Sequence, residues 1–189
     1  MSFPLNIFAT LPSYNAEKDF QNKQGTVWKY QAGYKNNGYY AFSDLTNENG
    51  RWGNMNVGVI EHTKDDMVTG QSAIYMHSGG TSDPTLTFVA PYSGIVEISM
   101  TNGGVYCPLN GAEQKFDGIN FYMCCGSTQV ASFEGISSNN SKKENKVFDK
   151  TYTVEITKGE QIYFIVQPNK NTANDKVTFN PLIEYTKIT

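Results

Sequence analysis

The groups able to do chemistry in this chain are few, and their spacing decides what they can do. His62 and His77 stand fifteen apart in turn-like surroundings, whereas a zinc-protease helix needs two histidines four apart. Cys107, Cys124 and Cys125 include no Cys-x-x-Cys pair and have no nearby histidine, so they make no zinc site. Adjacent Cys124 and Cys125 point to opposite faces of a strand, which argues against a bond between them. Cys107 could meet either one, and buried unbonded thiols are the simpler account. No G-x-S-x-G elbow occurs, and "HSGGTSDP" lacks the Lys-Ser/Thr that completes a phosphate cradle.

Paired carboxylates could hydrolyse a glycosidic bond across a cleft. Asp44, Glu61, Asp65, Asp66 and Asp117 are the candidates, but nothing in their spacing pairs them, and the chain is read as a non-enzyme. Asp117 and Asp175 each precede a strand, in "FDGINF" and "NDKVTF". Such carboxylates can hold Ca²⁺ through oxygen ligands, although an Asp at a turn more simply accepts backbone hydrogen bonds. No metal-ligand set is assigned.

The strongest signal is aromatic. Two Trp, twelve Tyr and eleven Phe exceed what a core wants, because each buried tyrosine hydroxyl needs a partner. An exposed flat ring among Asn, Asp and Gln suits a sugar, whose C–H face lies on the ring while polar neighbours bind its hydroxyls. Trp52, in the Gly/Asn-rich "NENGRWGNMN", heads this set beside Arg51, with Tyr34, Tyr39 and Tyr40 around another such turn. Trp28 shares a strand face with Tyr30 and joins the set, although that face also suits the core.

These rings need a scaffold, and the chain writes one in strands. Leu86, Phe88 and Ala90 alternate with Thr85, Thr87 and Val89, then Val96, Ile98 and Met100 alternate with Glu97 and Ser99, with Pro91 and Gly94 in the connection. "DGINFYMCCGS" repeats the pattern. "TYTVEITKGEQIYFIVQP" reads as a hairpin about Lys158-Gly159-Glu160. In "DKVTFNPLIEYTKI", Pro181 marks an edge or a bulge. Long helical periodicity is absent, the best candidate being "NAEKDFQNK", and residues 134–150 read as a mobile loop. The expected fold is all-β, an antiparallel β-sandwich (jelly roll) with little helix, in one domain over residues 1–189. The aromatic-rich residues 1–72 add strands and loops to it.

Composition narrows the partners. Charged residues are 17%, net charge is −3, and Arg51 is the only arginine. The bidentate phosphate and base contacts of arginine are therefore missing, and nucleic acid is not expected. Lys142, Lys143 and Lys146 are diluted by Glu144 and Asp149 and read as a solvated loop. No apolar run spans a bilayer, and "MSFPLNIFATLPS" has no signal-peptide layout. Composition favours a module of a larger exported protein.

"FVAPYSGIVEI", "DGINFYM", "VEITKGEQIYFIV" and "NDKVTFNPLIEY", in this order, resemble non-catalytic jelly-roll modules attached to bacterial polysaccharide-degrading enzymes and surface glycan-binding proteins. The resemblance spans 73–185 and rests on Pro91, Gly94, Gly118, Gly159, Asp175 and Pro181. It implies recognition of a polysaccharide or oligosaccharide by exposed aromatics, an extracellular or cell-surface location appended to a larger secreted enzyme, no required cofactor, and room for a structural calcium. "F-x-A-P-x-x-G" is also similar to the C1q and tumour-necrosis-factor-like jelly rolls, which implies a structural or protein-interaction sandwich that self-associates. A glycoside hydrolase or polysaccharide lyase is the third reading.

Overall fold

The computed structural model describes residues 10–36, 39–64, 70–107, 118–136, 145–147, 150–170, 172 and 175–189. At 35–36, 39–40 and 145–147 it describes the strand path alone. Among the described residues, seventeen strands form three antiparallel sheets and no helix occurs. The "NAEKDFQNK" stretch, read from sequence as the best helix candidate, is instead a turn: Asp19 N–H donates to Asn15 O at 2.9 Å and Phe20 N–H to Glu17 O at 3.3 Å.

One sheet runs β1 (Ser13–Asn15), β17 (Pro181–Ile188), β9 (Gly94–Met100), β14 (Tyr152–Ile156). A second runs β13 (Asn145–Val147), β10 (Gly104–Tyr106), β16 (Lys176–Phe179), β7 (Ala73–His77), β6 (Gly58–Thr63), β5 (Arg51–Asn54), β4 (Asn47–Glu48). The chain passes between these two sheets at Asn180, which joins β16 to β17, and at 101–103, which joins β9 to β10. They therefore act as one bent layer. Pro181 opens β17, which lies between β1 and β9 and is no edge; the bulge of this strand falls between Tyr185 and Lys187. Facing this layer is the third sheet, β12 (Thr128–Ile136), β11 (Ile119–Cys125), β15 (Gln161–Pro168), β8 (Asp83–Val89), β2 (Trp28–Asn36), β3 (Tyr39–Asp44).

Period-two burial is clear in β9, where Val96 and Ile98 are fully buried and Glu97 is exposed, and in β11, where Ile119, Phe121 and Met123 are buried. These inward faces meet in one core. Phe121 packs edge-on against Phe179 at 5.1 Å, and Trp28 packs on Phe88 at 5.3 Å. Rings of this size bury 150–250 Å² each; among the described residues both Trp are enclosed and five Phe or Tyr rings of this core are fully buried, while Tyr34 and Tyr92 are exposed.

The chain crosses repeatedly between the layers, at β1–β2, β3–β4, β7–β8, β8–β9, β10–β11, β12–β13, β14–β15 and β15–β16, which is the winding of a jelly roll. This corrects the hairpin read at Lys158-Gly159-Glu160. β14 pairs with β9, whereas β15 pairs with β8 and β11 in the opposite layer. The connection between β8 and β9 crosses in the same way. The two crossovers lock together: Gly159 N–H donates to Ala90 O at 2.8 Å and Ala90 N–H to Glu160 O at 2.9 Å. Within residues 134–150, β12 continues to Ile136 and β13 forms a short strand, while Lys142, Lys143, Glu144 and Asp149 lie outside the described residues.

Candidate functional site

Among the described residues, those expected from sequence to form a sugar platform do not come together. Trp52 is 3% exposed, stacked on Tyr30 at 4.7 Å and 13°, with its indole N–H donating to Gln21 O at 3.0 Å. Trp28 is 4% exposed. Both indoles are core, and the expectation that they present open faces to a ligand is corrected. The physical reason is parity: β5 turns Trp52 inward opposite Ile60, and the next-door Arg51 outward opposite Glu61. Arg51 grips the Glu61 carboxylate with Nε at 3.1 Å and Nη2 at 3.3 Å. Tyr34 is 37% exposed and lies far along β2, opposite Ala41. Tyr39 and Tyr40 lie on the path of β3 opposite Asn36 and Lys35, and their side chains fall outside the described residues.

The remaining candidates separate likewise. Among the described residues no three His, Cys, Asp or Glu side chains converge on a point that could hold a metal ion. Asp175 is buried and accepts from the Ser78 hydroxyl at 3.3 Å, while Asp117, Asp65 and Asp66 lie outside the described residues. Cys107, Cys124 and Cys125 are all unbonded. Burial pushes the Cys107 and Cys125 thiols up to about 12, so both stay protonated near neutrality. No helix among the described residues is long and apolar enough to cross a membrane.

A different set does converge. Between β1 and the start of β2, residues 16–27 form a loop held by side chains that replace strand partners. Asn15 Oδ1 accepts from Lys18 N–H at 3.0 Å while Asn15 N–H donates to Asp19 Oδ2 at 3.0 Å. This is the local side-chain-to-backbone bonding that Asn and Asp use to make turns. The Gln24 amide pairs with the Tyr30 backbone in both directions, at 2.7 and 3.0 Å, as a neighbouring strand would. Tyr30 OH accepts from Gln21 N–H at 3.0 Å, and burial pushes this phenol up to about 12.

This loop walls a cleft of about 320 Å³ whose lining includes Ser13, Tyr14, Asp19, Gln21, Thr26 and Trp28. Asp19 is its centre. Its Oδ2 takes both the Asn15 N–H and, at 3.3 Å, the Trp28 indole N–H, and no hydrogen bond from a described residue reaches Oδ1. Tyr14 supplies a half-buried ring, tilted on Phe88 at 5.4 Å and edge-on to Tyr185 at 6.3 Å. Burial, followed by nearby Tyr92, Tyr185 and Asp19, raises its phenol and keeps it neutral. Tyr92, 44% exposed, meets Tyr185 at 5.9 Å and extends the ring cluster toward solvent. On the other side of the loop, a shallower polar groove is lined by Glu17, Lys18, Phe20, Glu61 and His62. There His62 Nε2 and Glu17 Oε1 lie 2.8 Å apart.

Of the described residues expected from sequence, only Trp28 borders the cleft. The signal that could have found it is the Asn15–Asp19 spacing, which marks a side-chain-closed turn rather than a weak helix.

The fold and cleft define an all-β jelly-roll sandwich with a small polar and aromatic cavity beside its first strand. No family model matches the chain, and no curated protein matches it. Two solved structures are similar over most of its length. A crystal structure of pika GITRL shares 10% identity with a TM-score of 0.32, covering 85% of this chain and 99% of that one. An apo-form cyclase from Fischerella sp. shares 13% identity with a TM-score of 0.43, covering 88% and 87%. At such scores neither likeness bears on what this chain does.

Proposed function

We propose that this chain is a non-catalytic binding module that holds a glycan in the cleft between β1 and residues 16–27. The observation that carries the reading is Asp19. One carboxylate oxygen is fixed by a backbone N–H and the Trp28 indole. The other is left to a ligand, beside the Tyr14 ring and the Ser13 and Thr26 hydroxyls. A ring face, a fixed acceptor and small donors are what a sugar needs. The cleft lies at the low end of the roughly 300–1,000 Å³ usual for small-ligand sites, so it takes one short stretch or an end of a glycan.

Thr26 is exposed and lines the cleft, so Thr26→Trp fills it without touching the core. In affinity electrophoresis against soluble glycans, the wild-type protein is expected to be retarded by at least one polysaccharide, and Thr26→Trp to lose that retardation. Tyr34→Ala, remote from the cleft, is expected to keep it. Retardation by none of the panel removes the reading, and release of reducing sugar or unsaturated product would replace it with the enzyme reading.

Self-association is a second reading, favoured by three exposed apolar side chains at one end of the sandwich. Thr189 N–H bonds Ser93 O, bringing Ile188 beside Tyr92, and Tyr185 N–H bonds Pro12 O, bringing Leu11 to the same place. Leu11, Tyr92 and Ile188 are 40–45% exposed. If they form a contact between copies, light scattering shows a defined oligomer that Tyr92→Ser dissociates; a monomer at high concentration excludes it.

A further inference from the structure

We infer that the cleft selects sugars by charge, taking a protonated amino sugar in preference to a neutral one and excluding uronate and sulfated sugars. This rests on the glycan-binding reading above and adds the class of ligand. Asp19 is the only charged side chain among the described residues of the lining, which include neither Lys nor Arg. The neighbouring Lys18 lines the polar groove on the far side of the loop, beside Glu17, whose carboxylate is engaged by His62.

An ionised carboxylate is acceptor-only. With Oδ2 already taking two N–H donors, Oδ1 rewards a ligand that brings a donor, and an ammonium most of all, because charge-assisted hydrogen bonds are roughly twice as strong as neutral ones. A uronate or sulfate meets the opposite situation. It would bring a second negative charge beside Asp19, with neutral donors such as the hydroxyls of Ser13, Tyr14, Thr26 and Tyr30 and the Gln21 amide, and no cation among the described lining residues, to offset it. Like charges at short range oppose binding.

Isothermal titration with short glucosamine, glucose and galacturonate oligomers of equal length, at pH 6 where the amine is protonated, separates the possibilities. The expected order is glucosamine tightest, glucose about ten-fold weaker and galacturonate weakest. Asp19→Asn keeps an oxygen acceptor for Asn15 and Trp28 but removes the charge. It is expected to abolish the preference, bringing glucosamine and glucose to a common affinity. Glu155→Gln makes the same charge change on exposed β14 and is expected to leave the preference intact, which sets local charge apart from general attraction of a cation to an acidic protein. Equal or tighter binding of galacturonate, or a glucosamine preference that survives Asp19→Asn or vanishes with Glu155→Gln, overturns the charge selection while leaving glycan binding standing. Binding of none of the three by the wild-type protein counts against both.

Discussion

Trp52→Ala is expected to destabilise the protein by about 3–5 kcal/mol, the usual cost of emptying a buried aromatic site. The indole is 3% exposed, so the loss of burial is nearly complete. It stacks face to face on Tyr30 at 4.7 Å, itself 1% exposed, so truncation leaves a cavity against a second ring that cannot move to fill it. The lost indole N–H also leaves Gln21 O without its donor, at the point where Tyr30 OH receives Gln21 N–H. Total stability of a typical protein is about 5–15 kcal/mol, and at this size each kcal/mol moves Tm by about 2–4 °C. Urea unfolding should therefore show a large fall in midpoint with an unchanged slope. Acrylamide should quench little of the native tryptophan fluorescence, since both indoles are enclosed. A shift below about 1 kcal/mol, or ready quenching of a Trp28→Phe variant in the folded state, would show that Trp52 faces water after all.

The contrast between what could be read in the chain and what could not has a physical basis, seen best at this residue. Alternation in "TLTFVA" and "GIVEISM" reports that one face of each strand is buried; β9 buries the face it indicates, whereas β8 buries Thr85 and Thr87 as fully as Leu86 and Phe88, so both of its faces are covered. Alternation carries no information about which strand lies alongside. The expected hairpin at Gly159 fails for that reason, because both strands bury the same kind of face whether they pair with each other or stand in opposite layers. Trp52 sits among Gly and Asn, the usual company of an exposed loop. Its burial is decided by Tyr30, twenty-two residues upstream on the facing layer, and no local pattern encodes that meeting. The cleft was hidden differently: Asn15, Asp19 and Gln24 close the loop with side-chain bonds to backbone, so the stretch has no periodicity to detect.

Gly94→Ala is the second change expected to be costly, and its mechanism separates two roles of glycine that sequence reading merges. In "APYSGIVEI" the residue reads as a turn glycine needing a positive φ. In the structure it is the first residue of β9, paired with Ile188 of β17; its φ is positive, at 158°, and beyond that it lacks space. A Cβ there would enter the van der Waals shell of the Lys187 carbonyl oxygen and stand 2.9 Å from the carbonyl carbon. Both atoms are backbone in a paired strand, so relief requires the end of β17 to peel from β9. Overpacking of this kind costs about 1–3 kcal/mol, occasionally more, and here it also endangers the Thr189 N–H to Ser93 O bond that closes the same end. Gly159 provides the comparison. Its φ is 87° and nothing lies within 4 Å of an added Cβ, so Gly159→Ala bears only the conformational penalty of a left-handed L-residue, about 1–2 kcal/mol. Gly94→Ala should therefore lower stability more than Gly159→Ala. It alone should accelerate amide exchange at Lys187 and Ile188, since those residues must move to admit the methyl group. Equal costs for the two variants, or unchanged exchange along the end of β17, would mean that the close approach of these strands is not what the glycine at 94 serves.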